Sequence, residues 1–296
     1  MKIVTQADEL PAVSVVVPAY KSEETVENTI RSLLGLNYPS PVELIFVDNR
    51  STDRTSEILR SYAPRIRVIR EPKQGRSPAR NRGIREARNS VVAFTDADCV
   101  ADSNWLAELI VPLSDPRVGI SGGNIRAIQP CNSIQRFGEL LHDHEKPINT
   151  YKPPYASTAN WASRRSVLLE VGGFDETMRR GEDGDLSYRI IRAGYEIVYR
   201  DGATIYHRNT PNLRGLFLEG FQHGFYGVQV LKKHRKLVRQ FGHRSINLKG
   251  YRAVTRDWVR CISKKADPFT FYDTTFNSAK KVGKILGSMR FGCIEL

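Results

Sequence analysis

Along the first third of the chain, apolar residues come in unbroken runs separated by polar, helix-like spacings. VSVVVPAY (13–20), VELIFVD (42–48) and VVAFTDAD (91–98) are the runs expected of strands buried on both faces, and RIRVIR (65–70) reads as another strand. Between them, SEETVENTIRSLLGL (22–36) places Val26, Ile30, Leu33 and Leu34 at helical spacing. Ser22 is its expected N-cap, acids fill its first turn and Gly35 lies near its end. STDRTSEILRSY (51–62) predicts a second capped helix, and GRSPARNRGIREAR (75–88) a loop entering a third. Strands alternating with helices over short links predict a parallel sheet wound by right-handed crossovers. Ligands gather at the carboxyl ends of such strands, where Pro18, Ala19, Asp48, Asn49, Asp96 and Asp98 fall.

The pattern is less regular afterwards. It predicts a helix over 103–112, a strand near 118–127 and a helix over 133–146, then a turn-rich loop at 148–157. Residues 157–176 read as strand, short helix and Gly-Gly turn, and 181–194 as a helix weakened by Gly184. YEIVYR and GATIYH read as two short strands. Residues 212–234 predict a long amphipathic helix with Leu216, Phe217, Phe221, Phe225, Val228 and Leu231 on one side. Beyond 235 the pattern assigns little.

With 296 residues the chain is long enough for a large α/β domain with an appendage. Charge changes that picture. Residues 1–207 carry 27 Lys and Arg against 27 Asp and Glu, whereas 208–296 carry 18 against 5, so the whole net charge of +13 belongs to the last 89 residues. Such a tail is drawn to polyanions or anionic membrane faces. No zinc-finger, helix-turn-helix or RNA-binding signature accompanies the charge, so no nucleic-acid partner is expected. No run approaches the length of a membrane span, and MKIVTQADELPAV lacks the layout of a secretory signal. The four cysteines are scattered and read as reduced thiols, giving an expected cytoplasmic location.

The chain has no GxxxxGK[ST] and no strand-linked GxGxxG, and its first strand ends in PAYKSE, which cannot wrap a pyrophosphate in backbone amides. A diphosphate here would need a metal. Asp96 and Asp98, at i and i+2 on a strand end, suit a hard divalent cation such as Mn2+ or Mg2+; taken alone, they equally suit an Asp-rich turn. Glu182, Asp183 and Asp185 stand at a helix start, where the macrodipole favours anions whatever their role. Asp185 pairs most simply with Arg189, and Asp183 is the better general-base candidate. His207 ends a strand and reads as either a satisfied polar residue or a further metal ligand.

In this order, VSVVVPAY, VELIFVDNRSTDRTSEIL, GRSPARNRGI, FTDADCV, GGFDE, GEDGDLSYRI and a strand-end His resemble glycosyltransferase family 2, over roughly residues 12–210. The resemblance implies a GT-A fold: a mostly parallel, doubly wound, Rossmann-like α/β sheet, with a donor half at about 12–100 and an acceptor half at about 101–210. Residues 211–296 would form a basic, largely helical C-terminal extension. It implies inverting transfer from a nucleotide-diphosphate sugar to a hydroxyl of a glycan or lipid-linked acceptor. It further implies that Pro18, Ala19 and Tyr20 line the nucleotide pocket, Asp48 and Asn49 meet the base, and Arg80 approaches the nucleotide. Asp96 and Asp98 would hold metal and diphosphate, Asp183 of the Glu182–Asp183 pair would deprotonate the acceptor, and His207 would join the metal. Many members carry Asp-Asp-Gly where this chain has Asp48-Asn49-Arg50; Asn49 can still accept from a pyrimidine N–H, so UDP remains the expected carrier.

The 141–161 segment is the natural acceptor loop, with Asn160 and Trp161 as contacts, although Trp161 equally suits a core. His142 and His144 read as solvated. The extension is either a helical cap or a peripheral contact with the inner membrane face. A catalytically silent nucleotide-sugar-binding protein and a sugar nucleotidyltransferase are the alternatives.

Overall fold

The computed structural model describes residues 10–246, 249–263 and 265–295. Residues 1–9, read above as lacking a secretory signal, lie outside it. The apolar runs become β1 (Val13–Ala19), β2 (Val42–Asp48), β3 (Arg67–Arg70) and β4 (Val91–Thr95), all paired in parallel in the order β3-β2-β1-β4. Helices α1 (Val26–Leu34), α2 (Thr55–Ser61) and α3 (Arg76–Glu86) make the crossovers. The register sets Ala19 beside Asp48, bringing two strand ends to one edge.

Neighbouring residues of β1 enter opposite cores. Val13, Val15 and Val17 pack with Leu44, Phe46, Ile30 and Trp105, whereas Val16 packs with Ile45, Phe94, Ala79 and Leu186. Both faces are covered, which explains why the strands are continuously apolar. The Ser22 side chain does not cap α1. Its carbonyl accepts from the amides of Thr25 and Val26 at 3.0 and 2.8 Å, while its own amide donates to Thr55 Oγ1 at 2.7 Å, tying one crossover loop to the next.

The other half adds β5 (Cys99–Ala101), β6 (Val118–Ala127), β7 (Asn160–Arg164) and β8 (Glu196–His207), completing the order β3-β2-β1-β4-β7-β6-β8-β5. β7 runs antiparallel to β4 and β6, β5 runs antiparallel to β8, and β6 and β8 are parallel. The sheet is therefore mixed, with its fully parallel part within residues 13–95. The two strands expected at 195–207 are one. Register jumps from Gly123–Arg200 to Asn124–Thr204, so Asp201-Gly202, which resembles a turn, is accommodated as a bulge.

The helices here are α4 (Trp105–Ile110), α5 (Ser133–Leu141), α6 (Glu145–Asn149), α7 (Arg165–Glu170) and α8 (Glu182–Arg192). The basic end folds into α9 (Leu213–Lys233), α10 (Arg235–Gln240), α11 (Lys249–Ile262) and α12 (Pro268–Phe291). α9 and α12 run side by side in the same direction. A Cβ at Gly224 would strike the Lys280 carbonyl, and one at Gly283 the Phe221 carbonyl, so the seam is built on glycine rather than on the expected phenylalanine stripe. Phe217 is exposed, and Phe221 stacks on Phe225 at 5.8 Å.

The extension is anchored to α8. Fully buried Asp185 pairs with Arg189 at 2.8 Å, as its spacing predicts, and also with Lys233 at 2.6 Å and His234 at 2.8 Å. Burial opposes that carboxylate, but hydrogen bonds from His234 and Lys233 hold it far below the usual range.

Candidate active site

The carboxyl ends of β1 and β2 open on a cleft of about 520 Å³ lined by Tyr20, Lys21, Thr52, Asp53, Asp98 and Arg208, among others. Pro18 and Ala19 end β1 but are not among the residues that line it, whereas the exposed Tyr20 is. Arg208 donates to Glu24 Oε2 at 3.0 Å, joining the end of β8 to the loop before α1.

Asp48 and Asn49 sit at the β2 end but face inward. Asp48 accepts from the Ser51 amide and the Ser56 hydroxyl, bracing the turn into α2. Asn49 is 4% exposed; it donates to the carbonyls of Glu71 and Lys73 at 3.1 and 2.7 Å and accepts from the Gly75 amide at 2.7 Å. The oxygen expected to read a pyrimidine is thus already engaged, and Asn49 shapes the 71–75 loop instead.

Asn160 and Trp161 also depart from expectation. Asn160 is wholly buried, accepting from the Trp105 indole at 2.7 Å and donating to the carbonyls of Asn124 and Ala203. Trp161 is 1% exposed and packs on Phe94 and Phe174 at centroid distances of 4.9 and 6.2 Å. Neither can touch an acceptor. β4 and β6 pair with both edges of β7, and the cores that hold Ala162 on one face and Trp161 on the other cover both its faces. His144 is buried as well, bonded through Nδ1 to the Gly123 carbonyl and through Nε2 to the Ser157 amide. His142 is half-buried, its ring 4.8 Å from that of His207.

Arg80 binds the two acidic motifs together. It is 1% exposed, donating to Asp96 Oδ1 at 2.9 Å and to Glu182 Oε1 at 2.8 Å across 102 residues of sequence. The β4 end and the α8 start are therefore held in one cleft. Burial would raise Asp96, but Arg80, helped by Arg76, holds it below its ordinary value. Asp98, with no such partner, is raised by burial and by Asp96 despite His207. We expect Arg80→Met to destabilise the fold by about 3–5 kcal/mol, because Glu182 would be left buried and unpaired. Thermal denaturation should register a fall on the order of 10 °C; a melting temperature unchanged within experimental error would show that the bridge contributes nothing.

Asp183 differs from both its acidic neighbours. Glu182 has Arg80, and Asp185 has Arg189, Lys233 and the His234 ring, whereas among the described residues Asp183 has no cation within ion-pair distance. Burial and then the neighbouring Glu182 charge push it up to about 6, against the pull of Arg80. A half-buried carboxylate tuned near neutrality can accept a proton.

His207 Nε2 lies 3.8 Å from Asp98 Oδ2. Its Nδ1 lies 3.1 Å from the Asn209 amide oxygen, and the Asn209 amide nitrogen donates to the Gln135 carbonyl. Donation from Nδ1 to that fixed oxygen leaves the Nε2 lone pair facing Asp98, the usual outer-shell arrangement for a metal-binding imidazole. Cys99 also lies within the group, but burial keeps its thiol protonated, so it offers no thiolate. A carboxylate and an imidazole on one wall, with space opposite, fit Mn2+ or Mg2+. Sequence reasoning did not find Asn209; its position two residues after a strand-end histidine is the only signal it leaves.

The family model "Glycosyl transferase family 2" matches residues 14–172. Glycosyltransferase AglE of Haloferax volcanii is 30% identical over 238 residues, covering 78% of each chain. A pre-mycofactocin glycosyltransferase of Mycobacterium tuberculosis is 30% identical over 68% of this chain, which spans only 44% of that relative. Among solved structures, a mannosyltransferase from Pyrobaculum calidifontis in complex with GDP-Man and Mn2+ superposes with a TM-score of 0.66 at 19% identity, over 94% of this chain and 90% of that one. That likeness establishes the fold, which is the GT-A architecture expected from the motifs.

Proposed function

We propose, from the premise that this chain belongs to glycosyltransferase family 2, that it moves a sugar from a nucleoside-diphosphate carrier to an acceptor hydroxyl with inversion at the anomeric carbon. The observation that carries this reading is Asp183, free of any cationic partner among the described residues yet joined through Glu182 and Arg80 to Asp96.

Asp98 and His207 would hold a divalent cation, with Asp96 close by on Arg80. When bound, that ion would neutralise the diphosphate and stabilise the charge that grows on it as it leaves. The protein's own residues supply the rest. Tyr20 and the β1 end flank the nucleotide, Arg80 keeps Asp96 ionised, and Asp183 takes the proton of the acceptor hydroxyl. The acceptor oxygen bonds to the anomeric carbon as the bond from that carbon to the diphosphate breaks. The nucleoside diphosphate departs, and the proton remains on Asp183. Because base and leaving group stand on opposite sides of the sugar, the product is inverted.

The neighbour bound to GDP-Man makes a guanine carrier as reasonable as the uracil one, and the inward-turned Asn49 removes the argument for uracil. A thermal-shift panel of UDP- and GDP-sugars decides the base. We expect one of them to raise the melting temperature only when Mn2+ or Mg2+ is present; no shift from any would contradict the reading.

The extension packs on α8 through Lys233 and His234, and we propose that it also meets anionic lipid. Among the described residues no helix is long and apolar enough to cross a membrane. Val282, Ile285, Leu286 and Met289 are exposed at helical spacing on α12, with Lys281, Lys284 and Arg290 beside them. Such a face suits an anionic interface. The chain should co-sediment with phosphatidylglycerol vesicles and be released by salt; equal retention on neutral vesicles would refute the electrostatic part.

A further inference from the structure

No side chain aims Asp183. Among the described residues its carboxylate accepts one hydrogen bond, from the Gly184 amide at 2.9 Å, so the backbone of the first turn of α8 sets its direction. On one side Glu182 holds that turn, bound to Arg80 at 2.8 Å. On the other side the turn is held by the C-terminal extension.

Val230, Lys233 and His234 follow one another at i, i+3 and i+4 along the end of α9, and so share a face. Val230 lies over both glycines that bracket the Glu182–Asp183 pair. A Cβ at Gly181 would come within 2.7 Å of Val230 Cγ2, and one at Gly184 would stand 3.8 Å from its Cγ1. Gly181 has a φ of 79°, so the chain turns into α8 where α9 leaves no room for a side chain.

The charges act two residues further on. Asp185 is wholly buried, and Arg189 takes only its Oδ2. Its Oδ1 is shared by Lys233 Nζ at 2.6 Å and His234 Nε2 at 2.8 Å. Lys233 Nζ also reaches Asp175 Oδ2 at 2.6 Å. A single ammonium thus ties together both ends of the 175–185 segment, and Asp183 lies within it.

Attachment alone does not call for these charges. Leu216 of α9 and Phe276 of α12 pack on Phe137 of α5, which fastens the extension by apolar contact elsewhere. A buried ionic network often adds nothing to stability over apolar packing of the same size. What a network of short directional bonds adds beside a reacting group is a fixed geometry.

We propose that Lys233 and His234 are positioning residues for Asp183, holding the turn that carries it, so that the C-terminal extension completes the active site. This inference rests on the transfer reaction proposed above. Displacements of about 1 Å at a reacting group cost up to about a hundredfold in rate, so the extension would govern turnover without touching the donor.

Lys233 is the better test position, because its side chain is 36% exposed and Asp185 keeps Arg189 and His234 when it is replaced. Turnover of the nucleotide sugar selected by thermal shift is read as nucleoside diphosphate released to water and to a panel of glycan and lipid-linked acceptors. It is measured well below the melting transition of each variant. In Lys233→Met, kcat should fall about ten- to a hundredfold, while metal-dependent donor affinity stays within about twofold of the parent chain. Lys233→Arg keeps the charge and can donate to both carboxylates, and should recover kcat to within about threefold of the parent. Parent-like kcat in Lys233→Met would overturn the proposal, as would kcat and donor affinity lost together or a loss that arginine leaves unrepaired. If Lys233→Met melts too low to assay, Asp175→Asn, which leaves the Asp185 pairs standing, carries the test. Its kcat should fall about fivefold at unchanged donor affinity, and parent-like kcat would overturn the proposal. A parent chain that releases no nucleoside diphosphate fails the transfer reading and this one with it. An active parent, an inactive Asp183→Asn and a fully active Lys233→Met would end this inference alone.

Discussion

Asp183→Asn should lower kcat by about a thousandfold while leaving metal-dependent donor affinity nearly intact. The amide keeps the shape of the carboxylate but cannot accept the proton, and positioned general bases contribute factors of this order. The carboxyl is pushed up to about 6 by burial and by Glu182, so kcat/KM of the parent chain should rise through an acid limb near pH 6 and level off above it. The same shift carries a stability cost. A carboxyl that ionises near 3.8 when unfolded and near 6 when folded binds more protons in the folded state between those values, so stability falls as pH rises through that window. Asp183→Asn removes the charge and should melt no lower than the parent at pH 7.5, and higher if the penalty is fully expressed. A variant both unstable and inactive would point to a structural role for Asp183 instead.

Asp98→Ala should fail at an earlier stage. Asp98 and His207 are the two groups whose donor atoms face each other at 3.8 Å, and one imidazole alone makes a poor site for a hard cation. Metal-dependent donor binding should weaken on the order of a hundredfold, and transfer should fall with it. Raising the metal concentration should recover part of the loss. Equal donor affinity in Asp98→Ala and the parent chain would place the cation elsewhere.

The contrast between these variants follows from features with different visibility in sequence. β1, β2 and β4 were legible because both faces of the parallel sheet are covered, leaving unbroken apolar runs. The paired aspartates stood out because they interrupt such a run. Arg80 was legible only through resemblance, since its bridge to Asp96 and Glu182 depends on one strand end and one helix start meeting at α3, the farther partner 102 residues away. Asn160 and Trp161 were misplaced for a related reason. A polar-aromatic pair after a loop looks like a binding surface, but β7 slots between β4 and β6 and buries both. Asn49 looks free to read a base until the backbone of 71–75 is seen to occupy its amide.

The end of the chain was least legible. α9 was legible from its apolar period, with Leu216 and Val228 buried, but its packing on α12 runs through Gly220, Gly224, Gly283 and Gly287, and a glycine seam leaves no such period to show the partner. The attachment of that unit to α8 was equally hidden, because Asp185 meets Lys233 and His234 from a segment that reads only as basic. A charge excess on the page thus conceals a few specific buried pairs.

Calorimetric titration of the selected nucleoside diphosphate, run side by side with Mg2+ and with EDTA on the parent chain, Asp98→Ala and Asp183→Asn, tests most directly whether these carboxylates divide one reaction between them. The parent and Asp183→Asn should bind with matching affinity in Mg2+ and lose it in EDTA, while Asp98→Ala binds weakly in both. Metal-independent binding in the parent, or loss of binding in Asp183→Asn to the level of Asp98→Ala, would contradict the assignment of donor capture to one motif and proton transfer to the other.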